Sequence, residues 1–189
     1  MEVISSVSSL GVSVRGYDDG VLAELLREQH PDKIFLAEVA PEAFEKTHPD
    51  FESYKSINEI VKSQLMPVGI DMERYDNFKN SFIQENLKTP ELAIKKNMLD
   101  LIDNTILNYL AQYWKGPETI NSEVTDSLFR AKHKLFSSVF YDLEAEFWEK
   151  RNKKILDNIK KEGATNSSVI ISSVESRYWF KDHLSYLFR

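Results

Sequence analysis

Residues 19 to 39 read DGVLAELLREQHPDKIFLAEV, the pattern of an amphipathic helix followed directly by a buried strand. In the first half, apolar residues recur at three- and four-residue spacing, and Asp18 or Asp19 is suited to cap the start of the helix. Pro31 follows the helical pattern and stops it. The second half is a short apolar run whose single carboxylate, Glu38, lies close to its end, as expected for a buried strand running into a loop.

Three further β-prone runs extend this unit into a small sheet. Residues 2 to 8 precede the helix, the MPVGI run at 66 to 70 follows the second strand, and residues 168 to 174 supply a last apolar run. A strand, a helix and a strand in immediate succession are typical of a right-handed parallel crossover. The expected fold class is therefore α/β, with a small, mostly parallel sheet of about four strands.

The segment from about 74 to 162 has a different character. Glycine and proline become rare in it, and apolar residues recur at helical spacing. We expect an all-helical insertion of three or four helices, broken near Pro90 and Pro117 and closed by Gly163. One such apolar stripe consists of Leu92, Leu99, Ile102, Ile106 and Leu110. The length of the chain fits a single domain spanning residues 1–189.

The composition excludes several classes of protein. Hydrophobic residues make up 42% and charged residues 29%, a globular balance. The net charge of -6 and the interleaving of basic with acidic residues disfavour nucleic acid as a partner. With no cysteine, disulfides, zinc-thiolate sites and thiol nucleophiles are excluded. We expect a cytoplasmic protein with no membrane partner, since the sequence shows neither a secretion signal nor an apolar run of about 20 residues.

The ends of the predicted strands define a candidate site. Parallel α/β sheets bind ligands beyond the carboxyl ends of their strands, because loops converge there and helix N-termini supply hydrogen-bond donors. A Ser-Val-x-Ser sequence follows both the first and the last predicted strand. The polar residues expected near this edge are Ser8, Ser9, Glu38, Asp71, Glu175, Ser176, Arg177 and Tyr178.

The order of these elements resembles a group of α/β proteins that includes the TraB, Tiki and erythromycin-esterase-like families and the ChaN-type haem-binding proteins. The resemblance covers most of the chain. It rests on the helix and strand quoted above, the MPVGID segment, the late helix FWEKRNKKILDNI and the final helix RYWFKDHL. In that group the first and last strands each lead into a Gly-x-x-His motif, and the second strand ends in a glutamate.

The resemblance implies a metal-dependent or acid-base hydrolase ancestry, with the two histidines and the glutamate as the working groups. Glu38 matches the second-strand acid, Asp71 the third-strand acid, and Arg151 the arginine of the late helix. Ser9 and Ser176 stand where the histidines fall, and serines also replace the two glycines. A hydroxyl group is a poor ligand for zinc or manganese, and it cannot take up a proton near neutral pH as imidazole does.

Two functional interpretations remain open. The first is a degenerate hydrolase-like domain that acts as a binding or interaction module and forms a homo-oligomer or binds a protein partner through its helical insertion. The alternative is an active hydrolase that uses Glu38, Asp71 and Glu175 in acid-base catalysis, or Glu38 and Asp71 as ligands of Mg²⁺ or Mn²⁺. A structural interpretation of the same carboxylates is that they cap helices or pair with arginines such as Arg151.

The histidines and aromatic residues give weaker signals. His133 lies between two lysines within a predicted helix and is expected on the surface. The final helix, starting at about Arg177, is expected to be amphipathic. Its aromatic residues are expected in the core, although an aromatic stripe is also compatible with a dimer face, an apolar ligand pocket or docking on a partner.

Overall fold

The computed structural model of the protein describes residues 1–6, 14, 16–45, 57, 64–70, 77, 80–81, 83–85, 88–141 and 147–188. Within these residues, four parallel strands form one sheet in the spatial order β1-β4-β2-β3. The strands are β1 (Glu2–Ser6), β2 (Lys33–Leu36), β3 (Gln64–Pro67) and β4 (Val169–Ser173). The prediction of an α/β fold with a small parallel sheet and a helical insertion is confirmed.

The helices of the described part lie between and after these strands. Among them, α3 and α5 are the longest, and both belong to the insertion between β3 and β4. The helices are α1 (Asp19–Gln29), α2 (Pro41–Glu45), α3 (Pro90–Tyr113), α4 (Pro117–Ile120), α5 (Glu123–Val139), α6 (Glu149–Lys161) and α7 (Arg177–His183), followed by a 3-10 helix (Leu184–Phe188). No described helix combines the length and the apolar character needed to cross a membrane.

The α1 helix begins and ends at the positions that its sequence predicts. The Asp18 carboxylate accepts a hydrogen bond from the Val21 backbone N–H at 3.0 Å and so caps the first turn. At the other end, His30 adopts a left-handed conformation with φ 46°, and Pro31 follows it. Leu22 and Leu26 are buried in the core below.

The β4 strand lies between β1 and β2 and joins the two ends of the chain. Its register places Ile171 beside Ile4 on one side and beside Leu36 on the other. All of its residues are buried, so both faces of the sheet are covered at its centre. The prediction that residues near 168 to 174 complete a sheet begun at the N-terminus is therefore confirmed.

The β3 strand starts and ends earlier than its sequence predicts. Residues 66 to 70 were expected as the strand, whereas residues 68 to 70 belong to the following loop. The reason is a close approach between this loop and the loop after β2. The Gly69 N–H donates to the Val39 carbonyl at 2.8 Å, and a Cβ on Gly69 would lie 2.7 Å from the Val39 nitrogen. Glycine is therefore required at this position.

The helical insertion breaks at the predicted prolines. Thr89 caps α3, whose first residue is Pro90, and α4 begins at Pro117 after Gly116. The α5 helix packs against α3 on one side and against α7 on the other. The residue pattern over 42 to 64 is also typical of a helix, and of these residues 46–56 and 58–63 lie outside the described part of the chain.

The end of the chain differs from the prediction of one amphipathic helix. The α7 helix spans only seven residues, and its first four, Arg177 to Phe180, are all buried. A 3-10 helix then continues to Phe188. The aromatic residues at the start of α7 lie in the core, as expected.

Candidate functional site

Glu38 lies two residues beyond the end of β2 and beside the last residue of β4. The parallel register that aligns Leu36 with Ile171 continues past the end of β2, and the Ala37 N–H donates to the Ile171 carbonyl at 2.9 Å. Glu38 therefore stands next to Ser173, whose backbone N–H donates to Glu38 Oε1 at 3.2 Å. The carboxylate occupies the edge of the sheet at which the strand ends were expected to converge.

The turn after β4 wraps around the same carboxylate. Ser176 Oγ donates to Glu38 Oε1 at 3.1 Å, and it also lies 2.8 Å from Ser173 Oγ. The turn is closed by the Ser176 N–H, which donates to the Ser173 carbonyl at 3.1 Å. Both serines are buried. The Ser-Val-x-Ser segment after the last strand thus holds Glu38 through one hydroxyl and one backbone amide.

The helical insertion supplies the third partner of Glu38. Arg151, in the first turn of α6, forms an ion pair with Glu38 Oε2, and the arginine side chain is only 4% exposed. Its Nη1 donates to the side-chain oxygen of Asn152 at 3.1 Å. Arg151 Nε and Asn152 Nδ2 are buried and have no hydrogen-bond partner among the described residues. Buried donors without a partner are rare in folded proteins. The hydrogen-bonding capacity of this site is therefore not fully used by the described residues.

The arrangement around Glu38 does not fit a divalent cation. Its two carboxylate oxygens already accept hydrogen bonds from Ser173, Ser176 and Arg151. A metal ion bound to them would displace these donors and lie beside a guanidinium of the same charge sign. Within the described part of the chain, no group of three histidine, aspartate or glutamate side chains is placed to hold a metal. The second predicted ligand, Asp71, lies outside the described residues.

Glu175 is directed toward the insertion. Its carboxylate accepts a hydrogen bond from Lys132 Nζ at 2.7 Å, and the same ammonium lies 2.7 Å from Asp103 of α3. Burial lowers the pKa of Lys132, but the attraction of Glu175 and Asp103 outweighs it and holds that pKa above its ordinary value. Glu175 therefore links the turn after β4 to α5 and α3 through a charged lysine.

Arg177 forms its hydrogen bonds with residues other than Glu38. Its Nη1 donates to Asp126 Oδ2 at 2.6 Å, and its Nε donates to the Val3 carbonyl in β1 at 3.0 Å. Lys181 also donates to Asp126 Oδ2, at 2.7 Å, and the Asp126 side chain is fully buried. These contacts attach α7 to both α5 and β1, so the role of Arg177 is structural.

Tyr178 lies in an aromatic cluster with His133. The Tyr178 hydroxyl is 2.8 Å from His133 Nδ1, and the His133 and Trp148 ring centroids are 4.1 Å apart. His133 is only 8% exposed, so the expectation that it lies on the surface is wrong. Its neighbours in sequence are lysines, but the side of α5 on which it lies faces α7.

The structure thus brings together Glu38, Ser176 and Arg151, whereas Glu175 and Arg177 pair elsewhere. Ser8, Ser9 and Asp71 lie outside the described residues. Two further members of the cluster, Ser173 and Asn152, were not among the residues predicted for the site. Ser173 was recognisable from the Ser-Val-x-Ser segment, but Asn152 carries no sequence signal, because it joins the cluster only through its hydrogen bond with Arg151.

Comparisons of this chain with protein-family models, with curated proteins and with solved structures find no match.

Proposed function

We propose that this protein is a degenerate hydrolase-like domain that acts as a binding or interaction module. The observation that carries the proposal is the engagement of Glu38. A general base needs a free lone pair directed at the proton that it removes. Hydrogen bonds from Arg151, Ser173 and Ser176 instead occupy three of the roughly four lone-pair positions of the Glu38 carboxylate, and the remaining position is on Oε2, the oxygen paired with the Arg151 guanidinium.

The resemblance noted in the sequence adds to this argument. In the TraB, Tiki and erythromycin-esterase-like group, the second-strand glutamate works with two histidines, and serines stand at both positions here. Ser176 is one of these serines, and its hydroxyl hydrogen-bonds Glu38 at 3.1 Å. A buried ring of hydrogen bonds is a different use of the same strand ends, since it stabilises the turn rather than activating water.

Binding is supported by the two unpartnered donors beside Glu38. Arg151 Nε and Asn152 Nδ2 are buried, and each lacks an acceptor among the described residues. An acceptor supplied by a ligand would remove the cost of leaving these groups unpaired, about 1 to 3 kcal/mol for each group. The expected ligand group is therefore a carbonyl or carboxylate oxygen.

On the partner side, we propose that the helical insertion contacts a second copy or another protein.

One contact favours an active hydrolase as the second candidate. Ser176 Oγ lies within hydrogen-bond distance of Glu38, as a nucleophile lies near its base. In this alternative the carboxylate takes the hydroxyl proton, or Glu38 and Asp71 hold Mg²⁺ or Mn²⁺. The ion pair with Arg151 counts against it, because the guanidinium would have to separate from Glu38 before the carboxylate could act.

A thermal-shift screen of the full chain tests the metal-dependent form of the second candidate. The protein is heated with Mg²⁺, Mn²⁺, Zn²⁺ or Ca²⁺, with and without chelator, as wild type, Glu38→Gln and the control Glu24→Gln on the exposed side of α1. We expect no chelator-reversible stabilisation that depends on Glu38. A shift of several degrees that the chelator reverses and Glu38→Gln abolishes would overturn the proposal in favour of the hydrolase.

The NMR signals of the Asn152 side-chain amide test whether a ligand binds at the unpartnered donors. Acetamide and acetate, as a neutral and an anionic acceptor, are titrated while the side-chain amide signals are followed by NMR. Saturable shifts of the Asn152 signal, with those of exposed Asn104 unchanged, are expected. An Asn152 signal that neither probe moves would exclude a ligand at these donors.

A further inference from the structure

The α3 helix carries a second apolar face that faces solvent. One side of the helix packs inward through Leu110, which is fully buried, and through Leu99. The exposed residues on the other side form what we call the α3 stripe. Their exposed fractions are 61% for Ile94, 58% for Met98, 68% for Leu101, 37% for Ile102 and 56% for Tyr109. At about 100° per residue they fall within an arc of roughly 100°, where a solvated helix is normally polar.

Thr105 completes the α3 stripe. It lies in the middle of the same arc, and its hydroxyl donates to the Leu101 carbonyl at 2.7 Å. With the hydroxyl bonded to the backbone of its own helix, the residue offers its methyl group to an apolar partner. The α3 stripe is therefore continuous from Ile94 to Tyr109.

The positions in the α3 stripe are symmetric about the point between Leu101 and Ile102. Reversing the direction of the helix exchanges Ile94 with Tyr109 and Met98 with Thr105. An antiparallel copy of α3 would therefore present its apolar residues opposite those of the first. Self-complementarity of this kind is the requirement for a two-fold contact between identical chains.

The charges beside the α3 stripe permit such a contact. At the N-terminal end, Glu91 and Lys95 lie along the α3 stripe and pair within the helix at 2.8 Å. Toward the C-terminal end the neighbouring residues are the uncharged Asn104, Asn108 and Gln112. Antiparallel copies would thus set internally neutralised ion pairs opposite amides. Although each molecule carries a net charge of -6, this face therefore places no like charges directly opposite each other.

We propose that α3 pairs in antiparallel orientation with α3 of a second copy, through the α3 stripe of each. The exposed apolar area is roughly 500 Å² on each chain, so pairing would remove about 1,000 Å², the lower end of specific interfaces. Leu101 and Ile102 lie at the two-fold axis, and Tyr109 of one copy covers Ile94 of the other. The inference rests on the interaction half of the proposed function and names its partner.

Light scattering and sedimentation of the full chain over a range of concentrations test the proposal. The wild type is expected to form a dimer, and Leu101→Glu to weaken dimerisation by at least about tenfold, because two like charges would meet at the axis. The control is Val124→Glu, an apolar residue of α5 that is 46% exposed and lies outside the α3 stripe. It should leave dimerisation unchanged, and circular dichroism verifies that both variants are folded.

Disulfide cross-linking tests the orientation. The chain has no cysteine, so the single variants Ile94→Cys and Tyr109→Cys each carry one thiol. Oxidation of their mixture is expected to yield mainly the mixed dimer, whereas a parallel pair would yield each variant linked to itself.

Three outcomes would overturn the inference: a monomeric wild type, a Leu101→Glu variant that still dimerises, or self-linked products from the mixture. A monomer that Leu101→Glu destabilises would indicate that another part of the same chain covers the face. Glu38→Gln is expected to leave dimerisation intact. Failure of the dimer and failure of the site beside Glu38 are therefore distinguishable.

Discussion

Glu38 and Arg151 are separated by 113 residues in the chain and meet as an ion pair at the edge of the sheet. The arginine comes from the helical insertion and the glutamate from the loop after β2, so the pair joins the two parts of the domain. The arginine is almost completely buried, and the Glu38 side chain is 18% exposed. The pair should therefore contribute more to stability than an ion pair on the surface.

Arg151→Met is expected to lower the free energy of unfolding by about 2 to 3 kcal/mol, because it leaves Glu38 without its cation in a largely buried position. Urea denaturation measures the loss. Lys153→Met is the matched control on the same helix, since Lys153 is 63% exposed and pairs with Glu149 at 3.8 Å; its effect should stay below about 0.5 kcal/mol. Equal losses in the two variants would show that the buried pair contributes no more to stability than an exposed ion pair.

Much of the sheet could be predicted from sequence because it depends on local patterns. Buried runs of valine and isoleucine, a capped helix and a proline stop specify β1, α1 and β2 without reference to the rest of the chain. The convergence of Glu38 with Ser176 follows from the parallel arrangement alone. Arg151 was one of several arginines that could pair with the strand-end carboxylates, and no spacing rule connects α6 to the loop after β2 to select it.

The polar residues of the helices were harder to place. Asp126 and His133 lie in a helix rich in charged residues, where the default expectation is exposure. Each is buried because a partner on α7 compensates it, Arg177 for Asp126 and Tyr178 for His133. Such compensation is a property of two distant elements together. The spacing of apolar residues in either helix alone therefore does not predict these pairings.

Asp126→Asn is expected to be among the most destabilising single substitutions in the insertion. The Asp126 carboxylate is fully buried and accepts hydrogen bonds from Arg177 and Lys181. Removing its charge would leave the buried Arg177 guanidinium unpaired, at a cost of about 3 to 5 kcal/mol. Thermal and urea unfolding provide the measurement. Asp182→Asn, in the more exposed pair with Arg130, serves as control and should cost less than about 1 kcal/mol.

A loss below about 1 kcal/mol for Asp126→Asn would contradict the network described here. A shift or loss of the Trp179 indole N–H signal in NMR spectra, with helical content retained, would locate the damage at α7.

Asp32 provides a prediction of pH dependence at the opposite edge of the sheet. Burial acts to raise the pKa of its carboxyl group, but hydrogen bonds from the Thr165 and Ser168 hydroxyls and the Lys33 N–H outweigh burial. The pKa therefore lies below its ordinary value of 3.8. A depressed pKa in the folded state means that the contribution to stability is present above pH 3.8 and is lost as the pH falls through the folded-state pKa.

Asp32→Asn should accordingly be less stable than the wild type near neutral pH, by at most about 1 kcal/mol because solvent screens the site. The difference should shrink as the pH falls below 3.8. Urea unfolding at a series of pH values measures both variants. The control Glu24→Gln, on the exposed side of α1, should show no such convergence. A difference in stability that grows on acidification would contradict the lowered pKa of Asp32 in the folded state.

Gly69→Ala tests whether the position of Glu38 depends on the close approach of two loops. A Cβ at Gly69 would lie 2.7 Å from the Val39 nitrogen and 2.8 Å from the Ala37 oxygen, and both atoms belong to the backbone on either side of Glu38. Since backbone atoms cannot rotate away as a side chain does, the loop itself has to move. We expect a loss of about 1 to 3 kcal/mol in the free energy of unfolding.

The loop movement should also weaken the contacts of Glu38, so the effects of Gly69→Ala and Arg151→Met should be less than additive when the two are combined. Gly20→Ala is the matched control, because its Cβ would meet only the side-chain oxygen of Asp18, at 3.2 Å, which is able to shift. That variant should change stability by less than about 1 kcal/mol. Full additivity of Gly69→Ala with Arg151→Met would mean that the Glu38–Arg151 pair is held independently of the loop after β3.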